Sequence, residues 1–340
     1  MDSLTQIVLG AGVGEATLGH KIGNRAMLWG GIAGTIPDLD VLFTDFYDTV
    51  DGLFVHRGFS HSILFSLLLA PILGYLAYRI HRNQPVSWKM WGLMMFLAFF
   101  THILLDTLTS YGTGLFEPFS NVRPELSTIA IVDVFYTLPF LIFLIVLAFF
   151  NRISSIRRKL IIWALVVSTS YLGFTALNRL YVKNQFEKAL AGKGIDYDKL
   201  KLQPLPLTNF LWMAIADSDS GYYIGYYSNF DEGRVDQFEY IADNKSVPEE
   251  IKDHAMIQGL IRFSKGYYHM EPHSGGWYFH DLRFGKMGFN ESASYIFSFN
   301  IKQTPDGVEV SEAEFSGDFS SEDFKQYIAR IKGEKDTSVI

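Results

Sequence analysis

Long apolar runs separated by short polar connections fill the first half of the chain, and alternating aromatic and polar positions fill much of the second. Residues 62–80, 90–110, 131–150 and 160–178 are near-continuous apolar stretches. Each is about long enough to cross a hydrocarbon core of about 30 Å at 1.5 Å per helical residue. They predict four membrane-spanning helices. Residues 4–20 are also apolar, without a basic leader or a small-residue cleavage site, so a removable signal peptide is not expected. Residues 26–36 are too short to span alone. We read 4–36 as a hairpin of two short or tilted helices packed on the others, with Gly10, Gly12 and Gly14 marking close backbone approach.

After residue 180 the pattern changes. Residues 181–203 predict a helix with Lys183, Glu187 and Lys188 on its polar face, broken by Pro204 and Pro206. Residues 208–245 contain Gly221-Tyr222-Tyr223-Ile224-Gly225-Tyr226-Tyr227, rich in β-favouring aromatics. Residues 247–265 read as a helix and 275–315 as strands, with Ser294 to Ile301 alternating as a half-buried strand does. The expected fold is an α-helical polytopic membrane domain over 1–180, with four clear spans plus the N-terminal hairpin. An α+β soluble domain with a mainly antiparallel sheet follows over 181–340.

Charge sharpens this division. The 340 residues carry 29 Lys/Arg and 36 Asp/Glu. Residues 1–180 hold 12 and 11 of them, and 181–340 hold 17 and 25, so the second half is the acidic one. No basic stripe is visible, which argues against nucleic acid as a partner. The absence of cysteine excludes disulfides and zinc–thiolate sites. Lys and Arg cluster in 79–89 and 151–159, which places both connections in the cytoplasm. The 37–61 and 111–130 loops and everything after 180 then fall outside.

The candidate chemistry lies in and beside the apolar runs, where ionisable groups are costly. His56 and His61 flank Arg57-Gly58-Phe59-Ser60 just before the 62–80 run, Asp38 and Asp40 follow Pro37, and His102 and Asp106 sit in the 90–110 run. His102 and Asp106 stand i, i+4 and share a helical face. They suit Zn²⁺, Mn²⁺ or Fe, or equally a hydrogen bond between packed helices. His56 and His61 do not share a face, so a loop or helix start must join them. Asp38 and Asp40, after a proline, suit a helix cap or turn, and in an acidic loop beside two His a ligand role favours Asp38 over Asp40. Arg57 and Ser60 suit an anion such as phosphate, or for Arg57 a lipid headgroup. Glu15 is a further ligand, a base, or a partner for Lys21 or Arg25. Asp133 offsets a helix dipole. His254, His269, His273 and His280 are surface or core histidines, since Pro272 argues against a helix joining the middle two. The basic-loop rule used no His or Asp, yet it brings the cluster to one membrane face. Three His and at least two Asp there suit a hydrolytic metal centre.

At these positions the chain resembles the YdjM-type membrane-bound metal-dependent hydrolases of bacteria. The matching pieces are Gly34-Thr35-Ile36-Pro37-Asp38-Leu39-Asp40, His56 to Ser62, and His102-Ile103-Leu104-Leu105-Asp106 through Gly112, and the resemblance covers about residues 1–180. It implies Asp38, His56, His61, His102 and Asp106 as ligands of a divalent metal, zinc first and manganese or iron next. It also implies a place in the bacterial inner membrane. A similarity in motif style to zinc-dependent phospholipases C points to a phospholipid or other phosphoester as substrate, with Arg57 and Glu15 as catalytic candidates. Several members carry an early histidine where this chain has Thr5-Gln6, with Gln6 or Glu15 as the replacement. Asp281 to Gly285 resembles an extension of longer members. The competing expectation is a transporter or scaffold that uses the His/Asp cluster for ion passage or helix packing.

Overall fold

The computed structural model describes residues 1–233, 235, 237–242, 246–288, 293–305, 307–313 and 320–334. Parts of the 208–245 and 275–315 segments thus lie outside the described residues. The chain divides into two compact units. One comprises Met1–Phe43, Val55–Leu177 and Pro206–Asn209, and the other Thr44–Phe54, Asn178–Leu205 and Phe210–Ile340.

The first unit is helical. The expected N-terminal hairpin is present as α1 (Ser3–Ile22) and α2 (Asn24–Thr35). Small residues set their crossing. A Cβ on Gly10 would run into the Gly30 carbonyl, and one on Gly14 into the Ala26 carbonyl. The two backbones therefore touch, as small-residue motifs allow in lipid-embedded pairs. The short helix α3 (Thr49–Val55) falls in the second unit except for its last residue, and the first unit resumes with α4 (Ile63–Ile80) and α5 (Trp88–Thr107). Their crossing uses Gly74, where a Cβ would meet the Gly92 backbone. Helix α5 is central: Trp91, Met94, Met95, Ala98 and Phe99 are buried, and it packs on α1, α2 and α4.

The last two helices of the membrane unit depart from expectation. Helix α6 (Val134–Ala148) has 15 residues, because Asp133 caps it by accepting from the Phe135 and Tyr136 amides. It is about 22 Å long at 1.5 Å per residue. Among the described residues, three helices, α4, α5 and α7 (Ser155–Gly192), are long and apolar enough to cross a membrane, and α6 falls short of that length. The runs 160–178 and 181–203 are not separate helices. A single 38-residue α7 covers the first run and continues into the second, stopping at Gly192. Gly194 has φ +66°, and the Ile195 amide donates to the Leu190 carbonyl, a glycine C-cap. The charge change near residue 180 therefore lies inside a helix, because polar residues there have helical propensity and residues 181–191 include neither Gly nor Pro.

The described part of the second unit holds two four-stranded antiparallel sheets, so the α+β expectation stands. The first contains β1 (Lys199–Pro204), β2 (Leu211–Ser218), β3 (Gly221–Ser228) and β4 (Glu239–Ala242), in that order. Helix α8 (Ala255–Phe263) is shorter than the predicted 247–265, since it begins only at its His254 cap. The second sheet runs β5 (Tyr268–His273), β6 (Gly276–Lys286), β7 (Tyr295–Thr304), β8 (Gly307–Glu312), and α9 (Ser321–Ile331) follows.

Candidate metal centre

Three segments of the first unit bring four ligand atoms together. A 3-10 turn over Pro37–Phe46 carries Asp38, another over Phe59–His61 carries His61, and α5 carries His102 and Asp106 one turn apart. Their ligand atoms all lie within 4.8 Å of one another. His61 Nε2 lies 3.1 Å from His102 Nε2, 3.2 Å from Asp38 Oδ1 and 3.2 Å from Asp106 Oδ2. His102 Nε2 lies 3.3 Å from Asp106 Oδ2 and 3.5 Å from Asp38 Oδ1. A tetrahedral zinc with bonds of about 2.0–2.1 Å sets its ligands about 3.3–3.4 Å apart. The observed edges bracket that value.

The surrounding groups leave these atoms free to coordinate. His102 Nδ1 donates to the Gly34 carbonyl at 2.7 Å, so its Nε2 turns a lone pair to the cluster. His61 Nδ1 faces Ser60 Oγ at 2.9 Å and Asp40 Oδ2 at 3.2 Å, with the same result. Asp106 Oδ1 accepts from Gln6 Nε2 at 3.0 Å and from the Met1 amine, with Arg57 Nη2 3.5 Å away. Asp106 Oδ2 is buried without a hydrogen-bond donor. This oxygen faces the Nε2 atoms of His61 and His102 at 3.2 and 3.3 Å, an arrangement that either a proton on His61 or a bound cation satisfies. The donor set, two imidazoles and two carboxylates, suits zinc, manganese or iron.

The remaining candidates stand around these four. Asp40 is a hub. It accepts from the Arg57 amide (2.9 Å) and Ser60 Oγ (2.6 Å), and its other oxygen pairs with His56 Nδ1 (2.9 Å). With His61 on the same carboxylate, Asp40 and His56 lie behind the cluster on the Nδ1 side of His61. Arg57 is buried at positive φ (57°), donates to Thr109 Oγ1 at 2.8 Å and lies over the Tyr111 ring. Gln6, at the position of the early histidine, backs Asp106 through its amide. Glu15 is elsewhere. Both its oxygens are held by Arg157, at 2.7 and 2.6 Å. It sits nine residues from Gln6 along α1, about 13 Å of helix rise. Its partner is neither Lys21 nor Arg25, because Arg157 reaches it from α7, and no spacing in the sequence announces that pairing.

The loop groups are tuned by this packing. Burial works against ionising Asp38, yet the imidazoles of His102 and His61 beside it hold its carboxyl well below the usual carboxylate range. Burial opposes Asp40 too, and His56 and His61 outweigh it. Burial would lower His61, but Asp106, Asp38 and Asp40 together push it up to about 10, from 6.5. In metal-free protein this proton stabilises the fold fully below the unfolded value of about 6.5, and that stabilisation is lost as pH rises through about 10. A metal must displace the proton. We expect zinc affinity to rise about tenfold per unit between pH 6 and 8, with about one proton released per ion. Chelator competition in weakly buffered solution measures both, and a pH-independent affinity would contradict it.

The sequence profile of the family described as YdjM inner membrane protein matches residues 1–182, which include every residue of the cluster. Inner membrane protein YbcI of Escherichia coli (strain K12) is 31% identical over 109 residues, covering 31% of this chain and 61% of that relative. The chain thus spans about three fifths of the length of that relative. No solved structure matches.

Proposed function

From the membership of this chain in the YdjM inner membrane protein family, we propose that it is a membrane-embedded metal-dependent hydrolase acting on a phosphoester, with a phospholipid as the first candidate. The observation that carries this reading is the convergence of two imidazoles and two carboxylates, those of His61, His102, Asp38 and Asp106, with their ligand atoms all within 4.8 Å of one another. These four residues would hold the ion. A divalent cation so held supplies Lewis acidity and brings the pKa of a coordinated water to about 7. Asp40 orients His61 through Nδ1, and His56 and Ser60 keep Asp40 in place. Gln6 holds the back of Asp106. Arg57 adds positive charge beside the cluster, which favours an anionic substrate. Asp38, 18% exposed against 0–1% for the other three side chains, marks the side from which substrate and water enter.

Purified protein reconstituted with zinc or manganese and offered phosphatidylcholine, phosphatidylglycerol and a chromogenic phosphodiester should release product. His102→Ala should reduce the rate at least about 100-fold. A fully loaded protein that turns over none of these would overturn the phosphoesterase reading. One observation favours a second reading. Four protein ligands fill a tetrahedral shell, as in structural sites. A non-catalytic protein whose metal ties the 37–61 loop to α5 would lose thermal stability on chelation and show no turnover.

The basic connections 79–89 and 151–159 lie on one membrane side only if α6 also crosses, with local thinning around its short apolar length. We place both in the cytoplasm and the metal centre at the opposite face. With no cysteine in the chain, single substitutions give clean labels. Phe119→Cys should react with an impermeant maleimide in intact cells, and Arg82→Cys only after permeabilisation. The reverse pattern would invert the orientation.

A further inference from the structure

The second sheet of the C-terminal unit has two unlike faces. One carries Phe279, Phe299 and Ile301, all buried. The other is set by the register His269↔His280↔Ser298 and Glu271↔Tyr278↔Asn300↔Ser311. These residues line a cleft of about 700 Å³. The volume lies within the range of about 300–1,000 Å³ usual for small-molecule sites.

Tyr278, His280 and Tyr295 line the cleft as a stacked row, and His273 continues the row beside it. His273 stacks on Tyr278 at 4.2 Å, Tyr278 lies 5.9 Å from His280, and His280 stacks on Tyr295 at 4.6 Å. Polar side chains border the row in paired positions. Asn300 Oδ1 meets His273 Nε2 at 3.1 Å, and Ser298 Oγ meets His280 Nδ1 at 2.8 Å. Glu271 Oε2 lies 3.3 Å from His280 Nε2. Burial lowers both His269 and His280, which keeps the rings uncharged at neutral pH. Lys286 is neutralised by Glu239 at 2.6 Å. No uncompensated cation remains among these cleft residues to hold a phosphate or carboxylate, and the polar border excludes an apolar ligand. What remains, a row of stacked rings bordered by hydroxyl, amide and carboxylate groups, suits a molecule whose hydroxyls meet Ser298, Asn300 and Glu271 and whose C–H groups pack on the ring rims.

We propose that this cleft binds a neutral saccharide, its hydroxyls meeting Asn300, Ser298 and Glu271 and its C–H groups packing against the rims of the stacked Tyr278, His280 and Tyr295 rings. The test uses the full chain in lipid nanodiscs, since glycosidic detergents would compete. The probes are cellotriose and triacetylchitotriose, read by isothermal titration and saturation-transfer NMR. At least one should bind saturably. Tyr278→Ala and Asn300→Ala should each weaken it about tenfold or more, with unfolding temperature as the check on fold. Should one variant misfold, the other decides. No saturable binding of either trisaccharide to the parent overturns the proposal, as does affinity unchanged in a folded variant or binding abolished by excess inorganic phosphate.

Discussion

Protein purified in detergent should retain about one divalent ion per chain, and a His61→Ala, His102→Ala double variant should retain none. Two of the four converging donors are removed, and the two carboxylates left behind lose the geometry that the imidazoles shared with them. Substitutions that only touch a ligand's backing group cost about 10–100-fold in affinity, so loss of a direct ligand should cost more than about 100-fold. The gradation is informative in itself. Asp40→Ala, behind His61 Nδ1, should fall in the range of about 10–100-fold and leave some metal bound. Gln6→Ala, behind Asp106, should do the same. Elemental analysis of parent and variants reads all four. Equal metal content in parent and double variant, or no metal in the parent after reconstitution with zinc, manganese and iron in turn, would remove the metal centre. The cluster would then be helix packing or an ion path.

The second large effect is on stability. Arg157→Ala should destabilise the membrane unit by about 3–5 kcal/mol, and Glu15→Ala by a similar amount. The pair is bidentate, both side chains are 3% exposed, and Arg157 also donates to the Phe150 carbonyl at 2.9 Å. Gly19 leaves the room, since a Cβ there would run into the Glu15 carboxylate. Removing one partner strands a charge with no water to solvate it. Replacing both, as Glu15→Leu with Arg157→Met, removes the desolvation cost together with the attraction and should fall within about 1–2 kcal/mol of the parent. Unfolding in mixed micelles measures the cycle. Single variants as stable as the double would mean that Glu15 and Arg157 do not act as a pair.

Much of the candidate metal centre is legible in the amino-acid sequence. His102 and Asp106 announce themselves by helical spacing, because i, i+4 on one helix is a local fact. Asp38 and His61 are legible as candidates but not as partners, since 23 residues separate them and only the two 3-10 turns bring them to 3.2 Å. Asp40 and His56 have the same residue types as the ligands. Their place behind His61 depends on which imidazole nitrogen faces inward, and no spacing encodes that. The Gly34 carbonyl that sets the His102 tautomer leaves no side-chain signal. Arg157 is legible only as a charge in a basic connection.

The sequence by itself determined the membrane character, the helical hairpin at the start, the α+β tail and the residue types of the site. Those properties follow from apolar run length, alternation period and the cost of charge in lipid, all of which act over a few residues. Tertiary structure alone decided that Glu15 belongs to Arg157 and which four of six candidate groups converge. Each of these depends on contacts between segments far apart in the chain, where packing and desolvation choose among partners that local chemistry leaves equal.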